Sequence, residues 1–167
     1  NTAVFVGTHV DGTSARCDYT NPNAPETKTM WGELAYQLFG QEGYEFLREN
    51  DEQQSPPGSQ KLERLLDRHD NPSLVLIDEI AAYLEQTAAV EVGGSTLAKQ
   101  TNTFLMSLLS ATQNTDQLTV VLSIADTAFH DRAEDVRGLV TETISEFNSI
   151  TDRTEGSITP TEDEEVA

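Results

Sequence analysis

The segment Leu74-Val75-Leu76-Ile77-Asp78-Glu79 constrains this chain more than any other. Four aliphatic residues with no polar alternate read as a strand covered on both faces, the position of a central strand in a parallel sheet. Asn71-Pro72 breaks the chain just before it, and Ile80, Ala81, Tyr83 and Leu84 open a helical pattern just after. Two further apolar runs, Ala3–Thr8 and Leu118–Ile124, predict flanking strands, and Ser157-Ile158-Thr159 a last short one. Strands that alternate with helices predict an α/β fold, a three-layer sandwich with a mainly parallel sheet.

The helices follow from apolar spacing and punctuation. Thr29 is placed to cap a helix whose apolar face carries Trp31, Leu34, Ala35 and Leu38, and Gly40 ends it. A short helix is predicted over 41–48 and another over 59–69, with Leu62, Leu65 and Leu66 inward. Gly93-Gly94 breaks the chain, and Ser95 is expected to cap a long helix to about Gln113. Residues 136–150 predict one more amphipathic helix. The polar stretch 9–27, with Gly12, Pro22 and Pro25, reads as a long loop of the kind that carries function or moves.

A carboxylate pair at the carboxyl end of a buried strand sits where ligands bind in open α/β sheets. Nucleotide hydrolysis needs this pair: Asp78 is suited to hold Mg²⁺, commonly through water, and Glu79 to orient and polarise the attacking water. The competing reading is that Asp78 only caps the helix that follows, where the helix dipole favours both acids. AAA+ domains place a γ-phosphate-sensing polar residue on the strand after the acidic one. Resemblance to them makes Ser123, inside the end of the third strand, the candidate sensor, against a core serine bonded to backbone or simple strand alternation; Asp126 competes for that role. In AAA+ domains, which this arrangement resembles, the arginine that reaches a neighbour's nucleotide lies between the fourth helix and the fifth strand. That resemblance makes Arg153 the candidate, a role that suits a planar guanidinium able to bridge phosphate oxygens. A solvated surface arginine is the alternative, and Arg132 and Arg137 are weaker candidates.

Other chemistry finds little support. No Gly-x-x-x-x-Gly-Lys-Ser/Thr occurs; Gly93-Gly94-Ser95-Thr96 lacks the lysine and the spacing. His9, His69 and His130 are scattered without a cysteine partner, against a zinc site, and no Gly-x-Ser-x-Gly elbow is present. Cys17, the single cysteine, cannot form an internal disulfide and suits a reducing cytoplasm. No apolar stretch approaches the roughly 20 residues of a membrane span.

Charge narrows the partners. The 167 residues carry 29 acids against 10 bases, a formal charge of −19, with Lys28, Lys61 and Lys99 the only lysines. The apolar runs argue against disorder, and acids scattered over every segment argue against a nucleic-acid mimic. An evenly acidic surface fits concentrated salt, where the Debye length falls to about 3 Å at 1 M and self-repulsion is screened. Such a surface is not expected to bind nucleic acid directly, since phosphate contacts need clustered Lys and Arg.

With these residues in place, the chain resembles the large prokaryotic AAA+-like ATPases that carry domain of unknown function 499. The similar stretches are Ala3–Thr8, Met30–Asn50, Leu74–Leu84 and Gly156–Val166, of which Trp31-Gly32-Glu33-Leu34-Ala35 and Leu74–Leu84 are the most specific. The resemblance implies a P-loop NTPase core over residues 1–160, starting after the phosphate-binding loop, with 161–167 opening a truncated lid helix. It implies ATP and Mg²⁺ as ligands, Asp78 and Glu79 as the Walker B pair, and a homo-oligomer. Genes of this kind lie beside helicases and DNA methylases in defence islands, so it further implies such partners and a role against phage. Haloarchaeal members agree with the acidic surface. A non-catalytic α/β scaffold derived from an ATPase domain is the alternative.

Overall fold

The computed structural model describes residues 1–17 and 19–123, together with positions 137, 138, 141 and 145. Its elements are β1 (Thr2–Val6), α1 (Met30–Glu52), α2 (Ser59–Leu66), β2 (Ser73–Asp78), α3 (Ile80–Thr87), β3 (Glu91–Val92), β4 (Ser95–Thr96), α4 (Leu97–Thr112) and β5 (Leu118–Leu122). The strand expected over 157–159, the start of a lid helix at 161–167 and the candidates Asp126, Arg132 and Arg153 lie outside the described residues.

The three apolar runs pair as one parallel sheet in the order β1-β2-β5, with β2 in the centre as its composition predicts. Val4 pairs with Leu76 and Leu76 with Val121. Because side chains alternate across a strand, one face carries Ala3, Phe5, Val75 and Ile77, none more than 2% exposed. Helical residues complete that core: Trp31 and Leu34 from α1, Leu62 and Leu65 from α2, Ile80 and Tyr83 from α3, and Phe104 and Leu108 from α4. Phe5 meets Tyr83 edge-on at 5.0 Å, and Trp31 meets Phe104 at 5.6 Å. Each large side chain buried this way stabilises the fold by about 2 kcal/mol.

The second sheet face differs from its expectation. Leu74 and Leu76 are only half-buried, and Val4 and Val121 are 43% and 50% exposed. Among the described residues the architecture is therefore two layers, a parallel sheet with helices on one side. A third layer is not among them.

Local signals act largely as the residue types dictate. The Thr29 hydroxyl accepts from the Gly32 amide at 3.2 Å and starts α1. Gly40 takes φ 62°, ψ −148° and breaks the helical path, which resumes and runs to Glu52, past the predicted end at Arg48. Helix α2 stops at Leu66, short of the expected His69. Ser95 does not cap α4: it pairs with Val92 in a two-residue hairpin around Gly93 and Gly94, and Thr96 accepts from Lys99 N instead. The loop over 9–27 is packed, with Val10, Ala15, Ala24 and Thr27 buried and the Arg16 guanidinium donating to Glu26 and to the Asn21 carbonyl.

Candidate functional site

Parallel pairing brings the carboxyl ends of β1, β2 and β5 to one edge, where the ladder continues past the strands. Gly7 N donates to Asp78 O at 2.8 Å, and Ser123 N donates to Ile77 O at 2.9 Å. Thr8, Asp78, Glu79 and Ser123 thus come together at that edge, and all four are exposed.

Asp78 Oδ1 accepts the Ser123 hydroxyl at 2.5 Å and the Glu79 amide at 2.9 Å. The Thr8 hydroxyl donates to Glu79 Oε2. Each acid of the pair is therefore held by a hydroxyl from a different neighbouring strand end. Ser123, the candidate phosphate sensor, stands one residue beyond β5 rather than within it.

The cap-only reading of Asp78 does not match this geometry. Helix α3 has Glu79 as its N-cap residue with no side-chain cap bond, and Asp78 takes the amide of its immediate neighbour rather than one inside the helix. Glu79 sits in the left-handed region at φ 52°, ψ 37°, which costs a non-glycine residue about 1 kcal/mol. Two contacts keep it there. Thr8 holds its carboxylate, and Gly7 packs against its carbonyl so closely that a Cβ on Gly7 would lie 2.1 Å from Glu79 O.

A hydrated Mg²⁺ needs only one or two carboxylates, because water and phosphate oxygens fill the remaining positions. Asp78 beside the Ser123 hydroxyl fits that demand, while among the described residues no three His, Cys, Asp or Glu side chains converge as a metal cluster. His69 stacks on the Phe39 ring, with centroids 3.9 Å apart. Burial, then the charge of Glu33, pushes the Cys17 thiol up to about 12, which suits a packing residue and not a nucleophile. A cavity lined by Trp31, Leu34, Leu62, Val75, Phe104 and Leu108 is walled by apolar side chains. Arg137 is helical and half-buried.

Thr8 is the functional candidate that the sequence reading did not assign. Its signal was a hydroxyl directly after the Gly that ends an apolar run, and only strand pairing shows that it meets Glu79.

These observations define a parallel α/β domain with a hydroxyl-supported acidic pair at the carboxyl edge of its sheet. The chain belongs to the DUF499 family: the DUF499 N-terminal domain matches residues 13–158, a span that includes Asp78, Glu79, Ser123 and Arg153 but not Thr8. Comparison with curated proteins and with solved structures finds no match. No helix among the described residues is long and apolar enough to cross a membrane.

Proposed function

We propose that this chain forms part of a Mg²⁺-dependent ATP-binding and hydrolysis module, an AAA+-like P-loop ATPase core within a larger prokaryotic DNA-processing or anti-phage defence protein. The observation that carries the proposal is the pair Asp78–Glu79 at the end of the central strand, supported by Ser123 and Thr8 from the strands on either side. A mere surface acid pair has no need of two hydroxyl supports and a left-handed backbone. Asp78 would hold the metal with its Oδ2 side, Oδ1 being engaged by Ser123 and the Glu79 amide; bound there, Mg²⁺ would neutralise charge on the phosphates. Glu79 has Oε2 engaged by Thr8, which leaves Oε1 to accept a hydrogen bond from water and orient it. Arg153 is kept as the residue for a neighbouring subunit of a homo-oligomer, and helicases, methylases or other defence proteins as partners.

The test is ATP binding and turnover with Mg²⁺ in molar KCl, measured on the full-length protein. Turnover that vanishes in Glu79→Gln while nucleotide binding persists supports the assignment; normal turnover in that variant overturns it. The second reading, a non-catalytic α/β scaffold, draws on the lack of a Gly-x-x-x-x-Gly-Lys-Ser/Thr loop in these 167 residues. A folded full-length protein that neither binds nor hydrolyses ATP would favour it.

A further inference from the structure

A side chain closes the outer edge of β1. Leu74 N donates to Asn1 O and Gly7 N to Asp78 O, so alternate residues from Asn1 to Gly7 turn their backbone groups toward β2. Thr2, Val4 and Val6 therefore turn theirs outward. Two of those outward groups are occupied. Val4 N donates to Gln37 Oε1 at 2.8 Å, and Val6 O accepts from His9 N at 2.9 Å in the turn after the strand.

An edge strand with free backbone groups is a template for a further strand, and proteins blunt such edges with charge, proline or a bulge. Between Thr2 and Thr8 no residue is charged and none is proline. The strand Thr2–Val6 is instead rich in the β-branched and aromatic residues that favour pairing. The Gln37 contact stands where a charge would otherwise be needed.

The direction of the Gln37 amide follows from its neighbour. Glu33 lies four residues earlier on the same face of α1 and is 2% exposed. A carboxylate only accepts hydrogen bonds. Glu33 Oε2 takes the Thr27 hydroxyl at 2.7 Å, and Oε1 takes Gln37 Nε2 at 2.8 Å. The NH₂ group of Gln37 is thereby turned to Glu33, and its oxygen is left to accept from Val4 N. Reversed, the amide would set donors against an N–H and its oxygen against a carboxylate. Thr27, Glu33, Gln37 and Val4 thus form one hydrogen-bonded chain from the 9–27 loop to the middle of β1.

We propose that Gln37, oriented by Glu33, ends the sheet at β1 and bars strand addition by a second copy of this chain. A second copy is the partner that fits, because an uncharged edge pairs antiparallel with its own equivalent across a two-fold axis, with no crossover. The proposal stands whether or not the acidic edge hydrolyses ATP.

The test follows the Val4 amide and the size of the full-length protein. In the native protein hydrogen exchange at Val4 is expected to be slow although the strand is an edge; exchange at the rate of the unfolded chain overturns the proposal. Gln37→Leu and Gln37→Met remove the acceptor and keep a good helix former in α1. In dilute solution each is expected to speed Val4 exchange about tenfold, the effect of one lost hydrogen bond. On concentration each is expected to form assemblies larger than the native protein, read by light scattering. Lysine blunts edges, so adding Thr2→Lys, at an exposed position of the same edge, is expected to restore the native size. Unchanged Val4 exchange in both variants, native size at all concentrations, or assemblies that survive Thr2→Lys overturn the proposal.

Discussion

The hydroxyl of Thr8 donates to the carboxylate of Glu79, which ties the end of β1 to the residue after β2 across 71 positions of sequence. Glu79 has few other restraints on its side chain, since it is exposed and its backbone is left-handed. In the ATPase reading Thr8 is a positioning residue. Thr8→Val is expected to lower kcat of the full-length protein about tenfold with KM unchanged, the size of effect typical when a general base is misaligned. Thr8→Ser keeps the hydroxyl and is expected to restore the rate. A KM effect without a kcat effect would move Thr8 from positioning water to binding nucleotide.

Gly7 is required for a steric reason and not for a special φ. A methyl group there would meet Glu79 O at 2.1 Å and press on Tyr83 N. Gly7→Ala therefore has to separate the end of β1 from the turn after β2, with a loss of about 2 kcal/mol from overpacking. Denaturant unfolding reads this directly. A neutral result would mean that the close approach relaxes freely, and with it the hold on Glu79.

What was legible in the sequence is what local pattern encodes. Continuous apolar runs specified β1, β2 and β5, and the density of Leu74–Ile77 specified the central place. Gly40 was legible because only a glycine readily takes φ 62° at a helix break. The β3–β4 hairpin was not, since strands of two residues such as Glu91-Val92 show no period. That hairpin also engages Ser95, which moves the cap of α4 to Thr96. The acidic pair was legible as an apolar run that ends in two acids, whereas its Thr8 support depends on pairing between distant strands. Asp51 was hidden for the same reason: it stands in a polar stretch yet is fully buried.

Asp51 is a stability determinant. It accepts from Thr29 N at 2.9 Å, from Lys28 N at 3.1 Å and from the Thr29 hydroxyl at 2.5 Å, so it fastens the end of α1 to its start. Tyr44 OH donates to its other oxygen at 3.4 Å. Asp51→Ala leaves these buried donors without an acceptor and is expected to cost about 3 kcal/mol. Burial raises the Asp51 pKa above 3.8 despite the lowering by its hydrogen bonds. A folded state that holds the proton more tightly gains stability in acid, and that gain is lost as pH rises through the folded pKa. The stability lead of the native protein over Asp51→Asn, which does not titrate, therefore shrinks from below pH 3.8 toward neutrality. A lead that widens with pH would mean that the hydrogen bonds outweigh desolvation.

Cys17 gives a conformational clock. With its thiol pushed up to about 12 by burial and by Glu33, almost no thiolate is present at neutral pH, and Sγ is half-buried against the Ala15 carbonyl. Alkylation by iodoacetamide is expected to be slower in the native protein than in urea by about a hundredfold or more, since the thiolate is the reacting species. Equal rates in both states would show that the 9–27 loop opens faster than the reagent attacks.

The last prediction concerns salt. The chain carries 29 acids and 10 bases, and the basic partners that do pair include Arg16 with Glu26 and Arg68 with Glu42, the latter at 3.9 Å between exposed side chains. A pair as exposed as Arg68–Glu42 contributes about 0.5 kcal/mol, too little to offset a formal charge of −19. Folding brings those charges closer together, so self-repulsion opposes the compact state most at low ionic strength. Raising KCl from millimolar to molar shortens the Debye length to about 3 Å and removes most of that opposition. The thermal midpoint is therefore expected to climb with KCl, with the largest gain over the first tenths of molar if screening is the cause. Sucrose matched for osmolality separates screening from exclusion at the surface, because it strengthens burial without screening charge. A midpoint that rises equally in sucrose, or that fails to rise in KCl, would mean that the acidic surface is not a salt adaptation.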